Sequence, residues 1–311
     1  MYSNAERNSD YISRLSEFIS REYQIKPVTL TPAKRGFYGE TWRVDIAENT
    51  SYFLKLVYPE LHKSLYERSF PIIQHLCDHG IDFISRIIKT KGGNLFTRFD
   101  NAVLGVFDWI DGENIETDAT KIPEYQMLAK VYTVSAHGIS IPREDFSGKF
   151  ADKFFGQWNT VNDKQVRLLF EKNRVKLEYR AMRLKKFAEL CKSNTTDFVI
   201  THGDAGGNLL VSGDKYFIVD WDNPILAPPE RDAWVMCCHS WAVKLFNDTL
   251  RQNGIAYTLR PQRFAFYCYH MLFYYLGEFL EDVISHGDTT ELKGFLAESW
   301  IWERVKFADK I

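Results

Sequence analysis

No run of about 20 apolar residues free of charge occurs in this chain, which a membrane-spanning helix would need. The longest apolar stretch, FAFYCYHMLFYYLGEFL over 264–280, contains His270 and Glu278 and is rich in tyrosine. It is expected to form a buried helix. Cysteine is sparse: Cys77, Cys191, Cys237, Cys238 and Cys268 are scattered, and none sits at CxxC or CxxxH spacing. That disfavours a zinc site and a disulfide framework, and fits reduced thiols in a cytoplasmic protein. Charge of one sign is not in excess. A formal net charge of −2 is unlike the strong basic excess of a general nucleic-acid binder. The opening MYSNAERNSDYISR has no apolar core, so no signal peptide is expected. Internal repeats and low-complexity segments are absent.

What remains is a globular chain of 311 residues, 45% hydrophobic, long enough for two lobes. Tyr11, Ile12, Leu15, Phe18 and Ile19 recur at helical spacing within 8–23. From 26 to 57, short β-prone runs are separated by Gly36, Gly39 and an ENTS turn, the pattern of an antiparallel meander. A helix is expected over about 63–79, with Pro71 a candidate break and Gly80 its stop. FISRIIKT, LFTRF and AVLGVFDWI follow as strand-like runs. Beyond Asp111-Gly112 the pattern turns helical over 124–138, 161–192, 230–247 and 261–285. A strand–loop–strand unit over 197–220 interrupts it and reads as a hairpin carrying THGDAGGN, residues 201–208.

That loop and the strand after it concentrate oxygen ligands. Asp204, Asn208 and Asp220 are hard donors of the kind Mg²⁺ takes together with water and substrate phosphates. One such carboxylate can face an attacking hydroxyl while another holds metal. The plainer alternative is a turn cap and a solvated strand-end Asp. Upstream, Lys55 lies in FLKLV, and a charge within an apolar strand needs a partner. Glu67 in the next helix is one candidate, with Glu60 also in range; a snorkelling lysine and a solvated glutamate are the plainer alternatives. Gly36 and Gly39 in RGFYGE would let backbone approach phosphates closely. His202 is expected to hold the loop rather than react. Asp222 reads equally as a cap or as a second group of the site.

The order glycine turn, strand Lys, helix Glu, HGD, Asn and strand-end Asp resembles the aminoglycoside phosphotransferase and choline kinase branch of the protein-kinase-like fold. VDWDNPILAPPERDAW over 219–234 is similar to its spectinomycin phosphotransferase subgroup. The resemblance implies an α+β, two-lobed fold. Residues 1–107 would form a nucleotide-binding lobe with a small antiparallel sheet and one helix. Residues 108–311 would form a mainly helical lobe with the catalytic loop and acceptor site. It implies a kinase moving the γ-phosphoryl of ATP, or GTP, with Mg²⁺, to a hydroxyl of an aminoglycoside- or aminocyclitol-like acceptor. A choline-, homoserine- or sugar-type alcohol is the alternative acceptor, and a nucleotide-binding module with impaired catalysis the alternative function.

By the same resemblance Asp204 would be catalytic and Asn208 and Asp220 would bind Mg²⁺. Lys55 would contact the α/β-phosphates, with Glu67 fixing it, and Gly36–Glu40 would cover the phosphates. Phe107 and Trp109 lie in Val106–Gly112, the implied hinge for the base, and Asp232 would brace the catalytic loop. Glu278, Glu281 and Asp282 share a helix face that would suit a cationic acceptor. One departure stands out. The usual motif has four residues between Asp and Asn, and here only Ala205, Gly206 and Gly207 intervene. Glycines at φ > 0 would be one way to close the shorter path.

Overall fold

A computed structural model describes residues 7–33, 39–47, 50–193, 195–297 and 299–311. Gly36 and residues 48 and 49 of the ENTS turn lie outside the described residues. The chain divides into two compact units. One comprises residues up to 142 with 202–225, and the other comprises 143–201 with 226–311.

The first unit opens with α1 (Ser9–Tyr23), β1 (Thr29–Pro32), β2 (Gly39–Asp45), β3 (Ser51–Val57), α2 (Glu60–Asp78), β4 (Thr97–Phe99) and β5 (Ala102–Asp108). β6 (Glu113–Asn114) and α3 (Lys121–Tyr132) follow. After the chain passes through α4 (Lys149–Thr160), α5 (Lys164–Lys192) and β7 (Val199–Thr201) of the second unit, it returns as β8 (Leu209–Ser212) and β9 (Lys215–Ile218).

The expected meander is present: five antiparallel strands lie in the order β1-β2-β3-β5-β4. Helix α1 is capped at its start by the Asn8 side chain, which accepts from the Tyr11 N–H at 2.9 Å, and it ends at Gln24 with φ 59°. Tyr11, Leu15, Ile19 and Tyr23 are four residues apart and buried, so one face of α1 packs on one face of the sheet. Trp42, Val44, Leu54, Leu56, Leu104 and Val106 receive it. The buried Glu40 carboxylate ties helix to sheet. It accepts from Arg7 Nε at 2.7 Å, Tyr11 Oη at 2.9 Å, Tyr58 Oη at 3.0 Å and Trp42 Nε1 at 3.2 Å. Four donors offset the desolvation of that carboxylate.

The opposite face of β3 and β5 carries Phe53, Lys55, Gly105 and Phe107, and α2 supplies Tyr66 and Phe70 against it. Thus β3 is covered on both faces, which is why it does not alternate polar and apolar residues. A Cβ on Gly105 would meet Phe70 Cζ at 2.5 Å and the Tyr66 hydroxyl at 2.6 Å. Helix α2 runs through Pro71 instead of breaking there. One backbone hydrogen bond is given up, and Phe70, Ile72 and Ile73, all buried, hold the helix on both sides of it. Gly80, at φ +83°, does mark its stop.

Two expectations change. FISRIIKT is not a full strand. Its backbone bonds β5 through Ile88 N–H to the Val106 carbonyl and the Asp108 N–H to the Arg86 carbonyl, both 2.9 Å, with a bridge at Ile87. THGDAGGN is not a hairpin turn. β7 pairs with β10 (Ile225–Ala227), whereas β8 pairs with β6 and β9, so the loop joins two different sheets.

The second unit is helical: α4 and α5, then α6 (Glu230–Ala233), α7 (Ser240–Gln252), α8 (Pro261–His286), α9 (Thr290–Ala297) and α10 (Ile301–Asp309). The aromatic run expected as a buried helix is the body of α8, with Phe264, Phe266, Tyr269, Leu272, Phe273 and Leu276 at 2% exposure or less. Among the described residues no helix is long and apolar enough to cross a membrane. The helical pattern read from 161 onward leaves out α4, whose buried face is Ala151, Phe154 and Trp158.

Gly105→Ala is expected to destabilise the protein by about 1–3 kcal/mol, as overpacking does. A urea midpoint equal to wild type would contradict the close approach of Tyr66 and Phe70. On α8, burial, then the charges of Arg231 and Lys149, push His270 down to about 3. Its folded value lies below the unfolded one near 6.5, so the associated stability is present above that pH and is lost as pH falls toward 3. His270→Gln should flatten the pH–stability curve between 6.5 and 4, by up to about 2 kcal/mol at pH 5. Parallel curves for the two proteins would contradict it.

Candidate active site

Every side chain that builds this site belongs to the first unit. Lys55 projects from β3, and its Nζ donates to Asp220 Oδ1 and to Asp222 Oδ2, both at 2.5 Å. The lysine side chain is 11% exposed, while Asp220 and Asp222 keep 45% and 34% exposure, so the cluster opens to solvent on the carboxylate side. Burial opposes the lysine charge, and the two carboxylates outweigh it, so the ammonium is held above the usual lysine range. Burial also opposes ionisation of Asp220, but that side chain is nearly half open and the Lys55 charge decides the sign, holding its carboxyl below the usual range. Asp222 moves the other way. Burial, then the adjacent Asp220 charge, push it up to about 7.

Asp220 has φ +66°, a left-handed conformation that costs a non-glycine residue about 1–2 kcal/mol. Its neighbours hold it there. The Asp222 N–H donates to the Asp220 carbonyl at 2.9 Å, and the Trp221 indole N–H donates to the Ile218 carbonyl at 2.9 Å. The Trp221 ring stands edge-on to His202, with centroids 4.5 Å apart.

His202 links the loop to this turn. The Asp204 N–H donates to His202 Nδ1 at 3.1 Å, so the proton sits on Nε2, which donates to the Val219 carbonyl at 2.9 Å. This is the loop-holding role expected of it. Gly203, at φ +91°, makes the bend that a side chain would resist. Asp204 comes next, exposed at the loop end.

Ala205–Gly207 form one 3-10 turn, closed by the Asn208 N–H to the Ala205 carbonyl at 3.0 Å. Neither Gly206 nor Gly207 is left-handed, so the short path is closed by tighter winding and not by positive φ. The Asn208 carbonyl accepts from the Val219 N–H at 3.0 Å, beside Asp220. Its side-chain Nδ2 donates to the Asp204 carbonyl at 2.7 Å and faces the Asp204 carboxylate at 3.4 Å. With the amide nitrogen so engaged, the amide oxygen remains as an acceptor. Asp220, Asn208 and Asp222 all carry hard oxygen donors, a donor set that fits Mg²⁺.

Glu67 requires a correction. It pairs with Arg98 of β4 and not with Lys55. The register of α2 turns Tyr66 toward β3, with Lys55 Nζ 5.6 Å from the Tyr66 ring centre, and leaves Glu67 toward the β4 edge. Glu60, the other acid in range, bonds Lys63 at 2.6 Å. Gly39 starts β2, where a Cβ would lie 1.7 Å from the Leu56 carbonyl oxygen, so strand pairing alone demands a glycine there.

Phe107 is buried and stacks on Phe70 with centroids 5.7 Å apart. Trp109 packs on Phe53 and lies under the Arg43 guanidinium, 4.9 Å from the ring centre. The Asp108 N–H and carbonyl and the Trp109 N–H are taken by Arg86, Ser85 and Ser51.

Asp232, on α6 of the second unit, is buried. On α8, Glu281 already accepts from Gln157 at 3.0 Å and pairs with Lys153 at 3.4 Å, and Asp282 pairs with His286 at 2.9 Å. The acidic face is therefore partly neutralised. The fold also gathers Cys238, His239 and Glu303, which no spacing in the sequence announced; Glu303 is paired with Arg304 at 3.1 Å.

A profile of the phosphotransferase enzyme family matches residues 29–267. No curated protein sequence matches the chain. Among solved structures, spectinomycin phosphotransferase in complex with ADP and spectinomycin is similar with a TM-score of 0.75 at 20% identity, over 96% of this chain and 97% of that one. An aminoglycoside phosphotransferase from Alicyclobacillus acidocaldarius gives 0.65 at 13% identity, over 99% and 96%. A choline kinase from Streptococcus pneumoniae gives 0.62 at 14% identity, over 97% and 98%. The fold is the protein-kinase-like α+β fold of these proteins.

Lys55→Met would leave Asp220 and Asp222 facing each other without a cation. In Mg²⁺-free buffer at neutral pH it is expected to lower stability by about 1–3 kcal/mol, less than a fully buried pair would cost because both acids are partly solvated. Adding Asp222→Asn should recover part of that loss. A Lys55→Met protein as stable as wild type in urea would show that the pair contributes nothing.

Proposed function

Because this chain belongs to the phosphotransferase enzyme family, we propose that it transfers the γ-phosphoryl of ATP, or GTP, to a hydroxyl of an aminoglycoside- or aminocyclitol-like acceptor. The observation that carries this is the pairing of an exposed Asp204, aimed by His202, with the Lys55–Asp220–Asp222 cluster in the same unit. The acceptor class draws support from the spectinomycin phosphotransferase, whose structure holds ADP and spectinomycin.

Asp204 orients the acceptor hydroxyl and takes its proton. Its main chain is fixed at both ends, by His202 Nδ1 and by Asn208 Nδ2, so little ordering remains to be done when the acceptor binds. Lys55 neutralises phosphate oxygens, and its raised proton affinity keeps it cationic throughout the neutral range. Asn208 and Asp220 would hold Mg²⁺, which supplies charge neutralisation for the phosphates when bound. Backbone at Gly39 would cover the phosphates. Phe107 forms the apolar floor for the base and Trp109 begins the segment beyond it that hydrogen-bonds the base. Glu67 has no part in holding Lys55. Residues 1–107 would form the nucleotide-binding lobe and 108–311 the lobe with the catalytic loop, a division by role that differs from the compact units, in which the loop falls with residues up to 142.

Asp204→Ala should lower transfer to a responsive acceptor by at least about 100-fold, the low end of general-base effects. The melting temperature should still rise with Mg²⁺ and nucleotide, since binding to the native state must stabilise it. The measurement is nucleotide consumption across a panel of aminoglycosides, spectinomycin, choline, homoserine and sugars. Transfer only to choline or a sugar would replace the acceptor class. Nucleotide binding without Asp204-dependent transfer to any acceptor would leave a binding module.

A further inference from the structure

Helix α2 presents a tyrosine, not an acid, to the active-site lysine. Tyr66 is 2% exposed, and its ring centre lies 5.6 Å from Lys55 Nζ. Its hydroxyl is buried and has no hydrogen-bond partner among the described residues. The hydroxyl sits against Gly105, the residue paired with Lys55 across β3 and β5. A buried hydroxyl without a partner is destabilising, and Phe would fill the same space without that penalty. The neighbouring polar groups are Lys55, Asp220 and Asp222.

We propose that Tyr66 is the positioning residue of Lys55, its hydroxyl accepting a hydrogen bond from the ammonium when Lys55 turns from the carboxylates to a nucleotide phosphate. An ammonium has three donors and no acceptor. Two of them serve Asp220 and Asp222 here. Exchanging a carboxylate for a phosphate oxygen leaves a donor to satisfy on the side facing α2, where Glu67 is diverted to Arg98 and Glu60 to Lys63. Gly105 is what gives the Tyr66 hydroxyl its place beside the lysine stem. A neutral oxygen steadies the ammonium without competing for its charge, so the full charge stays available to the phosphate.

The inference rests on the nucleotide-binding role proposed above, and a double-mutant cycle separates the two. Wild type, Tyr66→Phe, Lys55→Met and the double variant are titrated calorimetrically with Mg²⁺ and a non-hydrolysable ATP analogue. Thermal melts of each without ligand accompany the titrations. Tyr66→Phe is expected to melt at or above the wild-type temperature and to bind about tenfold more weakly, as loss of a hydrogen bond to a charged group predicts. In the Lys55→Met background the same change should shift affinity by less than about twofold, because the group through which it acts is gone.

An equal weakening in both backgrounds, or none in either, would overturn the role of Tyr66 while leaving nucleotide binding intact. A wild-type protein that binds no analogue would overturn both.

Discussion

The site depends on one ammonium shared between two carboxylates. Lys55 stands 165 and 167 residues from Asp220 and Asp222, yet its nitrogen lies 2.5 Å from an oxygen of each. Two acids two residues apart at the end of β9 repel each other unless a cation stands between them. Lys55 holds Asp220 down, while burial and then the adjacent Asp220 charge push Asp222 up. The strain at Asp220 follows from the same demand. A relaxed φ would carry its carboxylate away from Lys55, and the left-handed turn is held by the Trp221 indole and the Asp222 N–H.

The lysine is fixed from behind by features without chemistry of their own. Glu40 gathers Arg7, Tyr11, Tyr58 and Trp42, so α1 and the sheet are joined by a satisfied carboxylate under the strand that carries Lys55. On the other face, Gly105 lets Tyr66 and Phe70 settle directly on the strand pair. A charge held in a covered strand is costly in free energy, and the cover is what makes its direction definite. The sequence around Glu40 offered no such signal, because its donors come from Arg7 ahead of α1, from α1, from β2 and from the residue after β3, and only the fold assembles them.

Asp204, Asn208, Asp220 and Lys55 were legible because each sits at the end or middle of a short element whose type the sequence declares. Their order along the chain limits how they can meet. Glu67 was not legible in that way. Residues 66 and 67 differ by about 100° around a helix, and which of them faces the sheet depends on how the helix rolls against Gly105 and Phe107. Helix propensity carries no information about roll. Helix α4 lies just ahead of the pattern that starts at 161 and is left out of it. The FISRIIKT segment looks like a strand because it is apolar, but it meets β5 for only a few residues before Ser85 and Arg86 engage the end of that strand. The pairing of β7 with β10 was likewise out of reach, since three-residue strands leave almost no pattern.

Sheet geometry, and not the length of the loop before it, sets the position of Asn208. If the loop set the position of Asn208, losing a residue would move it by several ångströms. Asn208 is instead placed by the strand pair on its C-terminal side. Leu209 pairs with Ile218 in the β8–β9 ladder, and the Asn208 carbonyl accepts from Val219, the next residue along. The start of the loop is placed independently, by His202 bonded to the other side of Val219. Both ends are thus tied to a single residue adjacent to Asp220, and Ala205-Gly206-Gly207 need only bridge two fixed points. A 3-10 turn, which rises more per residue than an α-turn, does so with three residues. A Cβ on Gly206 would stand in ordinary contact, 3.5 Å from Lys121 Nζ and 3.7 Å from Glu116 Oε1, and one on Gly207 would meet nothing within 4 Å, so space demands neither glycine. Asp204 and Asn208 therefore keep their relation to Asp220 because all three are tied to Val219.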